Sequence, residues 1–347
     1  MKSFESGFID RAPITQRLLQ TVRAIGEFKG KEELYKSQIP QALETLRQAA
    51  VIQSTESSNR IEGVTAPLKR IQELVLEKTK PRNRSEAEIA GYRDVLGTIH
   101  SSYAGVPMTP RVILQFHRHL YRFTDTDGGK WKSVDNEITQ VGPDGARKIR
   151  FKPVPAFVTA EYMERLHEEF RERWKSGSIE KLLLIPAYVL DFLCIHPFLD
   201  GNGRMARLLT LLLLYQAGYD VGRYISLEKI VEDSKETYYE ALYNSSQGWH
   251  EGKHDLRPWT EYLHGIILAA YKEFERRTGT LTTSRGAKTE MVQEAIASFN
   301  GDFSVKELQV RCPHVGIDLI RRILANQRKA RKIRCLQKGP DARWRKK

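Results

Sequence analysis

The sequence predicts a mainly α-helical protein with one β-hairpin near its middle and a small module of helices and a second hairpin at its C-terminal end. Apolar residues recur at helical spacing over most of the 347 residues. Asp125–Pro155 breaks this pattern with Gly-Gly, Pro-Asp-Gly and alternating apolar residues. These features predict a loop and a hairpin that turns at Gly142–Gly145. A hydrophobic content of 40% suits a chain that buries a substantial core.

Several helix starts carry local signals. Ser85-Glu86-Ala87-Glu88 has the capping-box pattern, which predicts a helix that begins at Ser85 and runs toward His100. Thr109 followed by Pro110 predicts another start, because Pro is favoured at the first helical position. Apolar periodicity predicts the remaining helices at 34–54, 67–77, 159–174, 179–194, 204–217, 227–247 and 257–277.

The C-terminal part is set apart by composition. Leu281–Lys288 is short and polar, which predicts a linker. Three helical patterns at 289–299, 304–311 and 316–329 then precede a short hairpin between Ile333 and Trp344. Three helices followed by a basic hairpin are typical of a winged helix-turn-helix. The predicted divisions are an N-terminal helical region (1–108), a core (109–280), a linker (281–288) and a winged helix-turn-helix (289–347).

The net charge of +13 is unevenly distributed. From Arg285 to Lys347 there are 16 Lys and Arg against 6 Asp and Glu, which accounts for +10 of the total. Such a module can follow the phosphate backbone of nucleic acid, or it can dock an acidic protein, since winged helices do both. Both kinds of partner stay open from the charge alone.

Other features bear on the compartment. The sequence has no stretch of 18 uncharged apolar residues, and its first residues include acids and lack the apolar core of a secretory signal. Cys194, Cys312 and Cys335 share no CxxC spacing, so they offer no zinc site and suit a reducing compartment. We therefore expect a cytoplasmic protein without a membrane partner.

Two apolar helical runs between Ile179 and Tyr215 are interrupted by the segment HPFLDGNGR at His196–Arg204. Proline and two glycines would only damage a continuous buried helix, so the interruption predicts a functional loop. Gly201, Asn202 and Gly203 allow consecutive backbone amides to point into one concavity at the start of the next helix. Such a place binds anions.

The charged residues of this stretch suit a polyphosphate. Arg204 and Arg207 lie three apart, hence on one helix face, and both can bind phosphate. Asp200 is an oxygen ligand beside the phosphates, as Mg²⁺ bound to a polyphosphate requires. Histidine titrates near neutrality, so His196 suits the removal of a proton from an attacking hydroxyl. A base, a metal ligand, an anion cradle and two phosphate clamps thus fall within one short segment.

The twelve residues HPFLDGNGRMAR at His196–Arg207 match the signature of the Fic family, HPFx(D/E)GNGRxxR, at every specified position. The resemblance covers roughly Ser54–Tyr271. It implies an enzyme that moves AMP, or more rarely another phosphate-containing group, onto Ser, Thr or Tyr hydroxyls. By motif position it implies a general base at His196, a Mg²⁺ ligand at Asp200, an α-phosphate site at Asn202 and the amides of Gly201 and Gly203, and β- and γ-phosphate contacts at Arg204 and Arg207.

Two further segments resemble the family. Asp135–Pro153 falls where the family has a hairpin flap that holds the target segment by main-chain pairing, although a long surface hairpin fits the same residues. Tyr238 resembles the first member of the family's YY pair, which would place it near the adenine of ATP; a core aromatic is the alternative. Some relatives have an Asn eight residues beyond this Tyr, where this sequence has Ser246, so the choice of nucleotide is not carried over.

Ser58–Gly63, SNRIEG, matches the (S/T)xxxE(G/N) motif that some Fic proteins use for self-inhibition. Ser58 and Glu62 are four apart and share a helix face, and Gly63 is a helix stop. The resemblance implies that Glu62 pairs with Arg207 and displaces the γ-phosphate. A tethered carboxylate in an anion clamp is a competing ligand at high effective concentration.

The residues and the resemblance together predict an autoinhibited protein adenylyltransferase that uses ATP and Mg²⁺. The removal of AMP by a water aligned on Glu62 would use the same residues and stays open. A DNA-binding regulator whose Fic core only senses nucleotide is the alternative, against which the intact signature argues. The expected partners are a protein substrate, the chain itself as a target, DNA through the C-terminal module, and a second copy of the chain.

Overall fold

The computed structural model describes residues 1–38, 40–141, 147–283, 287–297, 299, 301–312, 315–337, 339 and 342–346. The chain falls into two compact units, each built from two separate stretches. The first comprises Met1–Glu27 and Leu46–Tyr271, and the second comprises Phe28–Thr45 and Lys272–Lys347. Helices dominate, so the predicted mainly α class is confirmed.

The helices are connected by short turns and, between α5 and α6, by a hairpin. In chain order they are α1 (Gln16–Gln38), α2 (Pro40–Ile61), α3 (Leu68–Val75), α4 (Arg84–Ser102), α5 (Pro110–Leu120), α6 (Thr159–Ser176), α7 (Lys181–Ile195), α8 (Asn202–Gln216), α9 (Leu227–Asp233), α10 (Lys235–Ser246), α11 (Arg257–Thr283), α12 (Ala287–Ala297), α13 (Val305–Arg311) and α14 (Ile317–Lys329).

The centre of the first unit is the pair α7 and α8. Helix α7 packs against α6 and α8, and α8 also packs against α4. Both helices are apolar on nearly all faces, and Leu184, Ile185, Leu208 and Leu212 are completely buried. Each such side chain stabilises the fold by roughly 2 kcal/mol, so the loop between α7 and α8 is anchored at both ends. Among the described residues, no helix is both long enough and apolar enough to span a bilayer.

The central hairpin pairs β1 (Ile138–Val141) with β2 (Arg147–Phe151) in antiparallel register. Ile138 faces Phe151, and the register shifts between Ile138 and Thr139, as at a β-bulge. The hairpin is thus found where the alternating pattern predicts it. The predicted turn at Gly142–Gly145 lies outside the described residues.

The second unit contains a three-stranded antiparallel sheet. Its strands are β3 (Phe303–Ser304), β4 (Ile333–Gln337) and β5 (Arg343–Lys346), in the order β3-β5-β4. Ser304 caps α13 with a complete capping box to Glu307. The element order from Ala287 is helix, strand, helix, helix, strand, strand, which agrees with the three helices and hairpin expected from the sequence.

Some predicted elements differ from the structure. Helix α4 is capped by Asn83, whose Oδ1 accepts from the amide of Glu86 at 2.9 Å, and the predicted capping box at Ser85 is therefore wrong. Asn83 is the cap because its backbone is extended and its side chain reaches the amide of the third helical residue, Glu86. Helix α1, which the periodicity did not reveal, precedes the predicted start at Leu34.

Two other boundaries are different. The helix predicted at 227–247 is divided at Ser234, whose φ of −119° and ψ of 32° separate α9 from α10. Helix α11 continues to Thr283, through the first residues of the predicted linker, and α12 begins at Ala287. Residues 284–286 of that linker lie outside the described residues.

Candidate active site

The segment between α7 and α8 is a sharp turn set by two residues with positive φ. His196 has a φ of 50° and ends α7, and Gly201 has a φ of 83° and precedes α8. Glycine adopts this conformation freely, whereas histidine does so at a cost that is common at functional sites. Asn202 closes the turn, because its Oδ1 accepts from the amide of Phe198 at 3.0 Å and its Nδ2 donates to the carbonyl of Phe198 at 2.7 Å.

His117, from α5, supports this turn from one side. Its ring stacks on Phe198 with centroids 3.7 Å apart. Its Nδ1 accepts from the amide of Gly129 at 2.9 Å, so Nε2 carries the proton and donates to the carbonyl of Asp200 at 3.0 Å. Burial lowers the pKa of His117 to about 4, which keeps this neutral tautomer at physiological pH.

Lys132 and Asn136, which precede β1, hold the other side of the turn. Nζ of Lys132 donates to the carbonyl of Ile195 at 3.1 Å and to Oδ1 of Asn136 at 2.9 Å. Nδ2 of Asn136 donates to the carbonyl of Phe198 at 3.0 Å. Burial lowers the pKa of Lys132 to about 8. The segment leading into the hairpin is therefore fixed to the signature loop.

His196 is half-buried and oriented by one hydrogen bond. Its Nδ1 lies 3.3 Å from the carbonyl of Leu193, which can only accept, so the proton resides on Nδ1. The lone pair of Nε2 is then available to a substrate. Burial, assisted by the nearby ammonium of Lys132, lowers the pKa of His196 to about 4. The imidazole is consequently neutral at pH 7, the form in which it can accept a proton.

Arg204 lies beneath the turn and is 1% exposed. Its Nη1 donates to Oε2 of Glu88 at 2.6 Å, and its Nη2 donates to the hydroxyl of Tyr121 at 2.8 Å. Asp200 Oδ2 is 3.7 Å from Nη2. Side chains of the chain itself therefore bind the guanidinium of Arg204, for which the resemblance implies a phosphate contact. Its Nε, however, is buried without a hydrogen-bond partner among the described residues, which is unusual for a guanidinium donor.

Arg207 is bound to the end of α2. Its Nε donates to Oγ of Ser58 at 2.8 Å, one Nη2 bond goes to the carbonyl of Ser58, and another goes to Oε1 of Glu62, each at 2.8 Å. The pairing of Glu62 with Arg207 that the sequence predicts is therefore present. Nη1 of Arg207 is a second buried donor without a partner in the described part of the chain.

Gly203 makes room for this ion pair. A Cβ atom at this position would overlap Oε1 of Glu62, and it would lie 3.0 Å from Cδ of Glu62 and 3.3 Å from Nη1 of Arg207. The first turn of α8, the Glu62 carboxylate and the unpartnered donor of Arg207 therefore meet at one point.

The end of α2 is itself held by α9 and α10. Oγ of Ser57 donates to Oε2 of Glu232 at 2.7 Å, and Nη1 of Arg60 donates to Oε1 of the same carboxylate at 3.0 Å. Nζ of Lys235 donates to the carbonyl of Ile61 at 2.7 Å. These contacts fix the turn that carries Glu62.

A cavity of about 950 Å³ opens beside the turn, within the size range of small-molecule sites. Its wall includes His196, Gly203, Glu62 and Tyr238. Tyr238 is only 3% exposed and contacts several other aromatic rings, so most of its ring belongs to the core. The hairpin also contributes to the wall, with Ile138, Thr139, Arg150 and Phe151, as does Glu137 just before it.

Asp200 lies at the edge of the turn with its side chain 61% exposed. Its Oδ1 accepts from the amide of Gly201. In the described residues no three His, Cys, Asp or Glu side chains cluster as a metal site. A lone exposed carboxylate beside an anion site fits Mg²⁺ that arrives with phosphates, since this ion keeps several waters and takes few protein ligands.

Sequence reasoning missed the residues that support the site from a distance. His117, Lys132, Glu88 and Glu232 are separated from the signature by many positions and have no recognisable spacing to it. Local spacing assigns Glu88 only to the capping-box pattern at Ser85. The one available signal was a pair of charged residues, Glu86 and Glu88, on a helix whose other residues are mostly apolar or small.

The start of α8 offers its first backbone amides and the unpartnered Nη1 of Arg207, an arrangement that suits an anion. Residues 107–214 match the model of the Fic/DOC family. The chain therefore contains a Fic domain at these residues, as its signature motif predicts.

Several known proteins are similar to the chain. Protein adenylyltransferase Fic of Drosophila grimshawi is 27% identical over 227 residues, which cover 64% of this chain and 42% of the relative. The protein of the same description from Drosophila melanogaster is 26% identical over 231 residues, 64% of this chain and 42% of the relative. The match thus spans less than half the length of these curated relatives.

Solved structures show the same fold. A Fic family protein from Desulfovibrio desulfuricans G20 has a TM-score of 0.63 at 23% identity, covering 96% of this chain and 97% of that one. Fic-1 (residues 134–508) from C. elegans has a TM-score of 0.60 at 20% identity, covering 77% and 73% of the two chains. The fold of this chain is therefore shared with nearly the whole of the bacterial structure.

Proposed function

We propose that this chain is an autoinhibited protein adenylyltransferase, which transfers AMP from ATP to a Ser, Thr or Tyr hydroxyl of a protein, including its own. The observation that carries the proposal is the state and position of His196. It is neutral, its Nδ1 is occupied by Leu193, and it faces the same cavity as Gly203 in the first turn of α8. The resemblance to proteins named protein adenylyltransferase supports the choice of AMP.

In this mechanism, Nε2 of His196 removes the proton from the attacking hydroxyl as that oxygen approaches the α-phosphorus of ATP. The bond from the α-phosphorus to the oxygen that bridges to the β-phosphate breaks, and diphosphate leaves. The first amides of α8 have no partners within the helix and face the developing charge. Positioning and charge neutralisation supply most of the rate enhancement.

The phosphates of ATP would account for the two buried donors that lack partners. Nη1 of Arg207 lies next to Gly203, where a terminal phosphate can replace the carboxylate of Glu62. Arg204 acts from beneath the loop with its Nε, while Glu88 and Tyr121 keep its guanidinium in place. Asp200 would hold Mg²⁺, which neutralises phosphate charge and thereby assists the departure of diphosphate.

Glu62 restrains the reaction in this proposal. Its carboxylate occupies Arg207 at 2.8 Å, beside the backbone of Gly203 that the phosphates must approach. Because α2 is fixed by Glu232 and Lys235, this competing anion is held close to the clamp. ATP therefore has to displace Glu62 before its phosphates adopt the reactive geometry.

The test is label transfer by the full chain with ATP and Mg²⁺. Label in the α-phosphate should remain on protein after denaturation, whereas label in the γ-phosphate should not, because only AMP is transferred. His196→Ala should abolish transfer while ATP binding survives. His119→Ala, a matched change on α5 that is outside the cavity wall, should leave transfer unaltered.

Retention of γ-label would show phosphate transfer instead. An absence of label from a Glu62→Gly variant, in a cell lysate that supplies protein targets, would overturn the proposal.

A further inference from the structure

The positive charge of the second unit is concentrated in its last third. Residues 285–316 carry four Lys and Arg and four Asp and Glu, so they are neutral overall. Residues 317–347 carry 12 Lys and Arg against two Asp. This stretch comprises α14, β4 and β5. The excess charge therefore belongs to one helix and one hairpin, and the rest of the module does not contribute to it.

Helix α14 has one apolar face and one cationic face. Ile320, Ile323 and Leu324 are buried. Helical spacing places Arg322 and Lys329 on the opposite side, and the small Ala325 lies between them. All three are exposed. The small side chain of Ala325 lets an external ligand approach the helix closely there. Arg322 and Lys329 then extend on either side of that ligand.

The few acidic residues near this surface neutralise only part of its positive charge. Asp302 pairs with Arg345, and Glu307 with Arg343 at 3.5 Å. Asp318 is 3.9 Å from Arg321, on the exposed side of α14. Within the described ranges, no ion pair involves Arg322, Arg328 or Lys329. These cations therefore keep their full attraction for an external anion.

The hairpin formed by β4 and β5 carries two positive charges that face each other. Arg334 on β4 faces Arg345 on β5 across the strand pair. Like charges at facing positions destabilise a sheet, and Asp302, which pairs with Arg345 and also attracts Arg334, relieves only part of this repulsion. A bound polyanion would remove the remaining repulsion.

We propose that the second unit binds duplex DNA, with the exposed face of α14 in the major groove and the β4–β5 hairpin on the adjacent phosphates. Helix α14 has 13 residues and is about 20 Å long, and a major groove about 12 Å wide admits one helix. The preceding α13 is joined to α14 by a short segment, as in other helix-turn-helix modules. This binding is independent of the AMP transfer proposed above, because none of the residues involved belongs to the first unit.

The experiment measures binding of the full chain to a mixed-sequence duplex of about two helical turns, by fluorescence anisotropy over a salt series. The wild type should bind at low salt, and the logarithm of its affinity should fall steeply with the logarithm of salt concentration. Arg322→Ala with Lys329→Ala should weaken binding by at least about tenfold at 100 mM salt and reduce the slope by about 2. Arg334→Ala should reduce the slope by about 1, since it removes one phosphate contact.

The matched control is Lys69→Ala with Lys175→Ala, which removes the same charge from exposed positions of the first unit. It should bind DNA as the wild type does. Equal weakening by this control would attribute binding to net charge alone and overturn the proposal. A wild type that shows no salt-sensitive binding at low salt would also overturn it, and an acidic protein would then be the partner to seek.

Discussion

At Gly203, a side chain of another residue takes the space that a Cβ atom would need. The carboxylate of Glu62 reaches into this space to bind Arg207. The conformation of Gly203 is helical, so the glycine is not required by backbone strain. The absence of a Cβ atom lets a negatively charged group approach α8, and in this structure that group is Glu62.

Replacing Glu62 with Gly should raise label transfer from ATP by at least about tenfold, because roughly 1.4 kcal/mol of competition at Arg207 would be enough for that change. Initial rates of α-label transfer measure the effect. Glu62→Gln should give a smaller increase, since the amide can still accept from Arg207 without its charge. Glu62→Gly combined with Arg207→Ala should lose most of the gain. Equal rates for Glu62→Gly and the wild type would refute the inhibitory role.

Gly203→Ala tests the close approach in the absence of Glu62. In a Glu62→Gly background, the added Cβ still lies near Nη1 of Arg207, where a phosphate must fit. ATP affinity should fall by about tenfold, a loss of about 1.4 kcal/mol, measured by isothermal titration calorimetry. Gly97→Ala is the control, because a Cβ at this helical glycine meets nothing within 4 Å. Unchanged affinity in the Gly203 variant would place the phosphates elsewhere.

The sequence predicts the residues proposed to contact substrate better than those that support them. His196, Asp200 and Arg207 lie in one contiguous signature, and Ser58 and Glu62 lie in another, so spacing alone reveals them. His117 and Lys132 act through carbonyls of the turn, at Asp200 and Ile195. Any helix or loop that passes nearby can supply such contacts, and no short-range pattern identifies which one does.

Among the elements, α9 and α10 act on the end of α2. Glu232 accepts from Ser57 and Arg60, and it is 14% exposed. Its location just before the break at Ser234 brings it under α2. We expect these contacts to lower the freedom of the turn that carries Glu62.

Glu232→Gln should therefore raise label transfer by a few-fold, less than Glu62→Gly, because the amide weakens the charged bonds to α2 without removing the competing anion. The change should have no effect in a Glu62→Gly background. Asp233→Asn is the control, since this neighbouring carboxylate is exposed and pairs only with Lys229 in the described structure. An equal effect in both backgrounds would show that Glu232 acts on the cavity and not through Glu62.

Helix starts and divisions were the least predictable features of the elements. The pattern at Ser85 satisfies the capping-box rule, yet Asn83 takes the cap and Glu88 binds Arg204 instead. The break at Ser234 has no Gly or Pro to announce it; Oγ of Ser234 bonds to the carbonyl of Ile230 at 2.8 Å and contacts the hydroxyl of Tyr262 at 2.8 Å. The first feature is decided by a local bond from the amide of Glu86 to Asn83, which competes with the Ser85 pattern. Only the second involves a partner distant in sequence, Tyr262, which local spacing does not reveal.

For the whole molecule, buried histidines predict sensitivity to acid. Burial lowers the pKa of His100 to about 3, and the pKa values of His117, His167, His196 and His254 to about 4. Between pH 6.5 and 4 the unfolded chain binds protons at these residues and the folded chain does not. Their contribution to stability is therefore complete above pH 6.5 and is lost as the pH falls.

Asp191 has the opposite effect on the pH dependence of stability, equivalent to one proton. Burial raises its pKa to about 6, so between pH 4 and 6 the folded chain binds a proton there that the unfolded chain releases. The free energy of unfolding should still decrease on acidification, by about 1.4 kcal/mol per pH unit for each net proton. Urea unfolding at a series of pH values measures this slope. His167→Gln should reduce it by about one proton, and an unchanged slope would show that His167 titrates normally in the folded chain.

The division of the second unit between two distant stretches has a consequence during biosynthesis. Phe28–Thr45 leaves the ribosome more than 200 residues before Lys272, the first residue of the stretch that completes the unit. At about 5–20 residues per second, the interval is roughly ten to fifty seconds. Leu43 is 4% exposed in the finished protein. During that time, the residues of the C-terminal stretch of its unit are not yet available to bury it. A nascent chain of this protein therefore carries at least one core side chain, Leu43, that cannot be buried within its own unit until the C-terminal residues emerge.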